Sequence, residues 1–455
     1  MSRRGDRPRL RRAAAAVLAA GLAAADPARL VRRHLVLNGR ILRVARRRHR
    51  VGHGRLVLVA AGKAASAMAR AAEDVLGPVL SDALAVDVSD RIPLARTRRL
   101  LAGHPVPDEA GRRAADEVEA LAHSLGPDDL LLLLVSGGAS ALLPAPAEGL
   151  TLDDKARTTA ALLRAGATIA ELNAVRKHLS RLKGGGLVRV AAPARVACLA
   201  LSDVVGDDPS TIASGLAAPD PTTYDTALEV LERKGVRERV PAAVRRHLEA
   251  GARGERPETP KPGDPLFRRV AFDVVGSNRL SVAAAAREAR RQGLRPLVLT
   301  TRLEGEAAEV ARALTAMLRE CVEEGRPAAP PVCLLAGGET TVTVKGAGRG
   351  GRNQELVLAA AEPLAGFPVG AVIASLATDG IDGNSDAAGG VVDDRTLARA
   401  GQLGLAPASA FLDDNDSWSF LGPLGDLIIT GPTGTNVMDL TALVAGTRAQ
   451  RRHGL

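Results

Sequence analysis

The sequence predicts an α/β protein in which parallel strands alternate with helices. Seven short apolar runs recur along the chain, and each ends in glycine or a small polar residue before a helical pattern begins. This alternation is typical of βα units. The runs are apolar throughout, which indicates strands that are buried on both faces of a sheet. In chain order the runs are RLVLVAAGKA, DLLLLLVSGGAS, RVACLALSD, VAFDVVGSN, RPLVLTT, PVCLLAGGE and GAVIASLATDG.

One break divides this series into two α/β domains. The segment GARGERPETPKPGDP, residues 251–265, is rich in glycine, proline and charge, as linkers are. The predicted domains are therefore residues 1–250 and residues 266–455. A chain of 455 residues, 46% of them hydrophobic, is long enough to fill two such cores.

The charge and the composition narrow the function classes. The net charge is +10, but the first fifty residues hold 15 arginines against Asp6 and Asp26, which leaves 46 basic and 49 acidic residues after them. A basic N-terminal segment followed by a slightly acidic remainder of the chain indicates a solvated helix face rather than a groove that binds nucleic acid. Only 2% of the residues are aromatic, so few side chains are available for base stacking. We therefore expect no nucleic-acid partner.

The cysteines and the apolar segments bear on the compartment. The alanine-rich run at residues 13–25 resembles a signal peptide, but it is poor in leucine and continues as a helical pattern, which favours a helix of the folded protein. No other run is long and apolar enough to span a membrane. Cys198, Cys321 and Cys333 lack the spacing of metal ligands and are expected to be reduced core residues of a cytoplasmic protein.

The residues that follow the first two strands are candidates for phosphate binding. In open α/β sheets the ligand lies beyond the carboxyl ends of the strands. Lys63 follows the first strand, although the loop is not a Walker A motif because Val57 and Ala64 stand where glycine and Ser/Thr are required. Small residues follow the second strand, and their N–H and hydroxyl groups can surround an anion, although an ordinary tight βα turn is the alternative. The candidates of this turn are Ser136, Gly137, Gly138 and Ser140.

Two further stretches of the first domain carry charged candidates. The segment ELNAVRKHLSRLKGGGL predicts a basic helix, and a spacing of three to four residues puts Asn173 and Lys177 on one face, with Arg176 adjacent. A solvated basic face is the alternative. Asp203, in LSDVVGDDPS, comes directly after a strand, where a carboxylate commonly holds hydrated Mg²⁺. A turn built on Asp-Pro is the alternative there.

In the second domain, a strand-like TTVTV run is followed by a glycine loop and then by a helix. The loop satisfies the pattern G-x-G-x-x-G with Gly346, Gly348 and Gly351. A dinucleotide-binding fingerprint also needs an acidic residue about twenty positions after the glycines, and Asp379 lies too far along the chain to fill that position. Cationic side chains beside a row of exposed N–H groups suit a polyphosphate instead. A plain glycine-rich hairpin is the alternative. The cations are Lys345, Arg349 and Arg352.

Two more turns of the second domain carry polar residues. TDGIDGNSDAAG places Asp379 and Asp382 among glycines as candidate metal ligands, although it lacks the closing glutamate of an EF-hand. ITGPTGTNVMD supplies Thr435 and Asn436 as candidates for substrate binding. Asn353, which follows Arg352, belongs to the same set.

Taken in order, seven motifs resemble one known family. The chain resembles the glycerate 2-kinases whose C-terminal half carries the MOFRL domain, here about residues 331–440. The resemblance covers most of the chain, from the N-terminal helix to Leu440. The motifs are GKAASAMA, VSGGASALL, LNAVRKHLSRLKGGGL, LSDVVGDDPSTIASGLAAPDPT, GGETTVTVKGAGRGGRNQE, ATDGIDGNSDAAGG and TGPTGTNVMDL.

The resemblance implies a fold and a reaction. It implies a Rossmann-like N-terminal domain and a smaller C-terminal α/β domain, each of three layers, with a cleft between them. It also implies transfer of the γ-phosphoryl group of ATP to the C2 hydroxyl of D-glycerate, with Mg²⁺ or a similar ion. The family's two key basic residues correspond to Lys63 and Arg352. Asp203 is the first candidate for metal ligand or base, and Asp379 is the second.

A second reaction class remains open at this point. Some members of the family were labelled hydroxypyruvate reductases, and such an enzyme needs NAD(P)H and an acid that protonates the new alcohol, commonly histidine. His104 comes nearest to a strand-end motif, but it is expected to shape a proline-containing turn. We therefore expect a kinase that acts on small molecules.

Overall fold

The computed structural model describes residues 7–447, which form two compact units. One unit spans Pro27–Val275 and is called the parallel unit here, after its main sheet. The other joins the described residues up to Asp26 with those from Gly276 on, and is called the mixed unit. The first helix of the chain, α1 (Arg7–Ala23), therefore belongs to the mixed unit.

The parallel unit contains two sheets and nine α-helices within the described residues. Its helices are α2 (Pro27–His34), α3 (Ala65–Leu76), α4 (Glu109–His123), α5 (Ala139–Leu142), α6 (Leu152–Arg164), α7 (Ile169–His178), α8 (Gly186–Ala191), α9 (Tyr224–Arg233) and α10 (Ala242–Ala252). Its strands are β1 (Leu35–Asn38), β2 (Ile41–Val44), β3 (Arg47–Arg50), β4 (Leu56–Ala61), β5 (Asp82–Asp87), β6 (Arg98–Leu101), β7 (Leu130–Val135), β8 (Arg195–Leu201) and β9 (Val270–Gly276). Short 3₁₀ turns lie at Gly77–Val79, Ile212–Ser214, Arg237–Arg239 and Pro265–Arg269.

The main sheet of the parallel unit has the strand order β6-β5-β4-β7-β8-β9. The pairings from β6 to β8 are all parallel, and β4 and β7 are buried along their whole length, as the apolar runs predict. The register pairs Ala61 with Val135 and Val135 with Ala200. The carboxyl ends of three strands therefore lie side by side at one edge of the sheet. A separate antiparallel sheet contains β1, β2 and β3.

The mixed unit is built on one six-stranded sheet. After α1, its helices are α11 (Asn278–Arg291), α12 (Ala307–Glu323), α13 (Arg352–Leu364), α14 (Thr396–Gln402), α15 (Ala408–Asp413) and α16 (Ser417–Leu421). Its strands are β10 (Arg295–Leu303), β11 (Val332–Gly338), β12 (Ala371–Ala377), β13 (Gly389–Asp393), β14 (Leu427–Ile428) and β15 (Asp439–Ala445). Their order is β10-β11-β15-β12-β13-β14.

The strand directions in this sheet differ from the expected parallel pattern. Only β10 and β11 pair in parallel, because β15 inserts between β11 and β12 and runs antiparallel to both. All seven apolar runs form strands, and the predicted α/β class is confirmed. The TTVTV run is not a strand: Thr341 makes only an isolated bridge to Glu306, and the following residues are irregular.

The N-terminal helix packs on the sheet of the mixed unit. Leu10, Val17 and Leu18 of α1 belong to the same core cluster as residues of α11 and of three central strands. Arg7 pairs with Asp394, and Arg11 pairs with Asp393 at 2.5 Å and with Asp426 at 2.8 Å, while both of these last carboxylates are buried. The basic face that was expected to be solvated is therefore partly engaged in ion pairs.

The boundaries of the parallel and mixed units differ from the predicted domain boundaries. Burial of α1 places the first helix with the mixed unit, whereas the prediction assigned it to residues 1–250. The predicted linker at 251–265 lies inside the parallel unit. In that segment Glu258 accepts a hydrogen bond from the imidazole of His178, and Thr259 donates one to the buried Asp220.

Loss of the Arg11 side chain is expected to destabilise the mixed unit. Arg11→Ala leaves two buried carboxylates without one of their cations, at a cost of about 1–3 kcal/mol in the free energy of unfolding. Arg399 still pairs with Asp426 at 2.5 Å, which limits the loss. Urea unfolding measures the change. Arg12→Ala, at an exposed position of the same helix, is the matched control, and equal effects of the two variants would contradict the role given to the ion pairs.

The structure also describes the cysteines and the apolar helices that the sequence analysis considered. The three cysteines are free and buried, and burial raises the pKa of the Cys333 thiol to about 12. Their predicted role as core residues is confirmed. No single helix in residues 7–447 is long and apolar enough to cross a membrane, and α1 and α2 meet that criterion only when they are joined.

Candidate active site

The loops after β4 and β7 are tied together at the edge of the parallel sheet. The backbone N–H of Lys63 donates to the carbonyl of Gly137 at 2.9 Å. The N–H of Ala64 donates to the hydroxyl of Ser136 at 3.0 Å. These two bonds hold Lys63 directly beside the 136–140 turn, as the shared strand edge predicts.

Two glycines of this turn make room for side chains of other loops. A Cβ on Gly137 would lie 2.2 Å from Oδ2 of Asp203, and one on Gly138 would lie 3.2 Å from Cγ of Lys63. The same position is 3.1 Å from Cδ2 of His104. Gly138 also has φ +89°, a conformation that other residues adopt only with strain. The turn therefore brings three ionisable side chains together.

The 136–140 turn offers hydrogen-bond donors that the protein does not use. Within residues 7–447, the N–H groups of Gly137 and Gly138 have no protein acceptor, and Lys63 makes no ion pair. Partial burial and the charge of Lys63 lower the pKa of His104, which keeps its imidazole neutral at pH 7. Unused N–H groups beside a cation are what a phosphate requires.

The hydroxyl of Ser140 links this turn to α7 through Ser214. The hydroxyl of Ser140 lies 2.7 Å from that of Ser214, which in turn donates to Oδ1 of Asn173 at 3.1 Å. Asn173 is buried, and the structure brings it within two hydrogen bonds of the turn. Asn173 therefore helps to position the turn through the hydroxyl of Ser214.

Two buried lysines donate to backbone carbonyls of residues 140–144. The ammonium of Lys183 donates to the carbonyls of Ser140 and Leu143, both at 2.8 Å, and that of Lys155 donates to the carbonyl of Pro144. Burial, together with the charge of Arg176, lowers the pKa of Lys183 to about 7. Burial also lowers the pKa of Lys155.

Three of the basic residues in the 173–183 segment, Arg176, Lys177 and Arg181, differ in their partners. Lys177 lies 3.1 Å from Asp220, and both are buried, so its charge is neutralised inside the protein. Arg181 is held by Asp116 and Glu119. Arg176 is half-buried, and among the described residues it has no carboxylate within ion-pair distance. Of the three, Arg176 is the cation left for an external anion.

The glycine loop of the mixed unit does not present the expected row of exposed N–H groups. The carboxylates of Asp414 and Asp416 accept from Ala347 and Arg349, and the carbonyl of Asp414 accepts from Gly348. Amide oxygens of two asparagines accept from the others. Asn415 takes the N–H groups of Lys345 and Gly346, and Asn384 takes that of Gly350. The N–H groups of residues 345–350 are therefore not available for a polyphosphate in this arrangement.

Arg352 is held in place by two carboxylates. Its Nε and Nη2 donate to Asp439 at 2.6 and 3.0 Å, and Nη1 lies 2.9 Å from Glu339. The strand register explains the contact: Asp439, at the start of β15, pairs with Gly338 at the end of β11 and with Ala377 at the end of β12. A guanidinium has five N–H donors, so these contacts leave two for a ligand.

The pKa values of Arg352 and Asp439 are both raised from their ordinary values. Burial raises the pKa of Asp439 to about 6, and the hydrogen bonds and charge of Arg352 oppose that rise. Burial disfavours the charge of Arg352, but Asp439 more than offsets this and raises the pKa of the guanidinium. Both groups are therefore charged at pH 7, and Asp439 is the one that loses its charge in mild acid.

Asp382 and Asn353 are occupied by the fold. Oδ1 of Asp382 accepts from the backbone and side-chain nitrogens of Asn353, and Oδ2 accepts from those of Gln354, so the carboxylate caps the start of α13. Burial raises the pKa of Asp382. Oδ1 of Asn353 accepts from Ser375. Both side chains are engaged in these hydrogen bonds, and their roles in metal and substrate binding stay predictions.

Comparison with known proteins decides the family. Residues 13–249 match the model described as "Domain of unknown function (DUF4147)", and residues 332–439 match the MOFRL family. A glycerate 2-kinase of Pyrococcus horikoshii is 41% identical over 88% of this chain and 89% of its own. The chain belongs to the MOFRL-class glycerate 2-kinase family.

Other members of this family bear different names. A putative hydroxypyruvate reductase of Agrobacterium vitis is 43% identical over 86% of this chain and 88% of its own. The crystal structure of a glycerate kinase from Thermotoga maritima superposes with a TM-score of 0.84 at 38% identity, and covers 96% of this chain and 99% of that one. The fold and the predicted resemblance are thereby confirmed.

The remaining predicted residues of this glycerate 2-kinase family member lie at the same edge of the mixed sheet. Thr435 is buried and donates to the carbonyl of Ala25 at 2.7 Å, so its hydroxyl is used within the fold. Oδ1 of Asn436 accepts from the N–H of Met438. Asp379 is half-buried, and its Oδ1 accepts from Ile381. Asn436 and Asp379 keep atoms that are not used in these bonds.

Three residues that contact the candidate side chains, one in the parallel unit and two in the mixed unit, were not predicted. His104 contacts the 136–140 turn, and Glu339 and Asp439 hold Arg352. His104 was interpreted as a turn residue, because nothing local shows that its loop reaches the end of β7. Glu339 directly follows a strand, and this position was a signal that could have identified it.

Proposed function

We propose that this chain transfers the γ-phosphoryl group of ATP to the C2 hydroxyl of D-glycerate, giving 2-phosphoglycerate and ADP. Membership of the glycerate 2-kinase family supports the reaction. The observation that links the reaction to particular residues is the 136–140 turn. There, the N–H groups of Gly137 and Gly138 and the ammonium of Lys63 lie together, and none of them has an acceptor or ion-pair partner among residues 7–447. Phosphoryl transfer depends mainly on such donors and cations, which stabilise charge on the transferred group.

The side chains of the parallel unit suit separate parts of this chemistry. Lys63 and the turn are proposed to hold phosphate oxygens of the donor. Asp203, in contact with Gly137, is proposed to bind Mg²⁺ or to accept the proton of the C2 hydroxyl. His104, neutral at pH 7, is a second proton acceptor within the same loops.

A divalent ion fits the donor set of the chain. No group of three His, Cys, Asp or Glu side chains converges on a possible ion within residues 7–447. Mg²⁺ in kinases commonly takes only one or two carboxylates and completes its shell with water and phosphate oxygens. Asp203 is proposed as a ligand, with Asp379 as a second candidate. When bound, the ion would neutralise charge on the phosphates.

Arg176 is proposed to anchor the carboxylate of glycerate, since the other two candidates, Lys177 and Arg181, are already paired with carboxylates. Arg176→Gln is expected to raise the KM for D-glycerate by about tenfold or more, because a hydrogen bond to a charged group contributes about 1.5–3 kcal/mol. The KM for ATP should change much less. Initial rates with each substrate varied in turn measure both constants.

The control for this prediction is Arg164→Gln, which removes an exposed arginine at the end of α6. It should leave both KM values unchanged. An unchanged KM for glycerate in Arg176→Gln would contradict the anchor. A parallel rise in both constants would also contradict it, since this would indicate a general loss of the site.

The assay that tests the proposed function compares two reactions. With D-glycerate, ATP and Mg²⁺, we expect ADP to form, and a ³¹P spectrum of the product should show the phosphate on C2. With hydroxypyruvate and NADH or NADPH, we expect no oxidation of the cofactor, although an Agrobacterium vitis relative is named as a putative reductase. Cofactor oxidation without ADP formation would overturn the proposal.

A further inference from the structure

A second cationic cavity lies in the parallel unit, away from the loops described above. Its volume is about 350 Å³, and no carboxylate lines it. The lining residues come from β3, from the start of β8 and from the segment that leads into β9. They are Arg47, His49, Arg195, Arg268, Arg269 and Ala271.

The cavity lies at the opposite edge of the sheet from the candidate active site. Arg195 is the first residue of β8, whereas Asp203 follows the last residue of that strand. At about 3.3 Å per residue, the strand separates the two edges by about 20 Å. A ligand in this cavity therefore does not contact the 136–140 turn.

The side chains of the cavity leave positive charge and hydrogen-bond donors without partners. Among the described residues, none of the four arginines makes an ion pair, and the bond of Arg269 to the carbonyl of Pro193 has a neutral acceptor. His49 is only 7% exposed, yet its Nε2 has no hydrogen-bond partner, and neither has the buried Nε of Arg195. Buried donors without acceptors are costly and rare in folded proteins.

The electrostatics of His49 agree with this account. Burial lowers the pKa of its imidazole, and the charges of Arg195 and Arg47 lower it further. The positive potential in the cavity is therefore not compensated by the protein. An anion that entered would satisfy the arginines and the imidazole together.

We propose that this cavity is a second anion site, which binds a small phosphorylated compound. Guanidinium groups pair with phosphate oxygens through two parallel hydrogen bonds, and four of them suit a group with more than one negative charge. The volume is in the range of small-ligand sites. The lining contains no Phe, Tyr or Trp on which a nucleic-acid base would stack.

The alternation of β3 supplies a matched pair of variants. Successive side chains of a strand point to opposite faces, so Arg47 and His49 share the face that lines the cavity, whereas Arg48 and Arg50 lie on the other face. The test pair is Arg47→Gln with Arg269→Gln. The control pair is Arg48→Gln with Arg50→Gln, which removes the same charge from positions that are exposed, as Arg47 and Arg269 are, but that do not line the cavity.

Calorimetric titration of the full chain with inorganic pyrophosphate tests the proposal. All proteins carry Lys63→Met, so that binding at the candidate active site is weakened independently. We expect the parent to bind one pyrophosphate, the test pair to lose at least about tenfold in affinity, and the control pair to stay within about twofold. Equal losses in both pairs would indicate diffuse charge attraction and overturn the proposal. So would the absence of binding at millimolar pyrophosphate, or binding of a DNA duplex in its place.

A second measurement needs no substituted cavity residue. In the wild-type protein, pyrophosphate should raise the pKa of His49, followed by NMR of the imidazole, because the bound anion offsets the charges of Arg47 and Arg195. The signal is assigned as the one missing from His49→Gln. An unchanged titration of His49 at saturating pyrophosphate would overturn the proposal even if the test pair does not fold.

Discussion

Lys63→Met is expected to lower kcat for glycerate phosphorylation by at least about 100-fold, since removal of one group that stabilises transition-state charge costs about 2.7–4 kcal/mol. The stem of methionine fills the space of the lysine stem beside Gly138, so the fold should be unchanged. Because Lys63 has no carboxylate partner within residues 7–447, its removal leaves no buried charge behind. Steady-state kinetics and a thermal unfolding curve together measure the effect.

Two control variants separate the effect of the Lys63 charge on kcat from the effect of removing any lysine from the protein. Lys63→Arg keeps the charge but changes its shape, and it should retain more activity than Lys63→Met. Lys234→Met removes a surface lysine that pairs with Glu171 at 3.0 Å, and it should leave kcat unchanged because such pairs contribute little. Near-normal turnover in Lys63→Met would exclude Lys63 from the reaction.

The candidate site of the parallel unit was predictable because its strands are parallel. Parallel strands end at one edge, so residues that follow the runs in sequence become neighbours in space. Lys63, Ser136 and Asp203 were predicted as candidates on this ground, and the family resemblance also implied Lys63. His104 was missed, because its loop reaches the same edge without any local pattern that shows it.

The mixed unit was less predictable because of its last strand. β15 runs antiparallel between β11 and β12, so its first residue, and not its last, lies beside the carboxyl ends of those two strands. Asp439 was therefore missed by a search that examined only residues after strands. The partners of the glycine loop, residues 414–416, are 67 to 70 residues away along the chain, and a local motif carries no information about them.

The choice among basic residues also depended on distant partners. Arg176 and Lys177 are adjacent in sequence and were equally good candidates. Lys177 is neutralised by Asp220, 43 residues later, whereas Arg176 is not paired within the described residues. Helical spacing predicts which side chains share a face, but it does not predict which of them the fold has already neutralised.

Arg352→Ala is expected to lower kcat by about 100-fold, with a smaller effect on the KM for ATP, if the two free donors of the guanidinium bind the transferred phosphoryl group. Arg352→Lys should restore little, because an ammonium cannot hold the two carboxylates and a phosphate in one plane. Arg326→Ala, at an exposed position of the same unit, is the control. Near-normal turnover in Arg352→Ala would remove this residue from the mechanism.

The role of Asp439 is tested by combining variants. If Asp439 acts only by positioning Arg352, Asp439→Asn should lower kcat by about tenfold in the wild type and should have no further effect in Arg352→Ala. Additive losses would show that Asp439 has a role of its own. Urea unfolding of each variant checks the fold, since Arg352→Ala alone leaves a buried carboxylate unpaired and should be the least stable of the three.

Protonation of Asp439 in mild acid is expected to change kcat and the free energy of unfolding in opposite directions. Because the folded-state pKa is raised from 3.8 to about 6, the folded protein binds a proton that the unfolded chain does not bind between these values. This group therefore adds to the free energy of unfolding as the pH falls from about 6 to about 4. Over the same range Arg352 loses a charged acceptor, so kcat should fall while this contribution to stability rises. A loss of activity that follows unfolding, or an acid limb that is unchanged in Asp439→Asn, would contradict the positioning of Arg352 by an ionised Asp439.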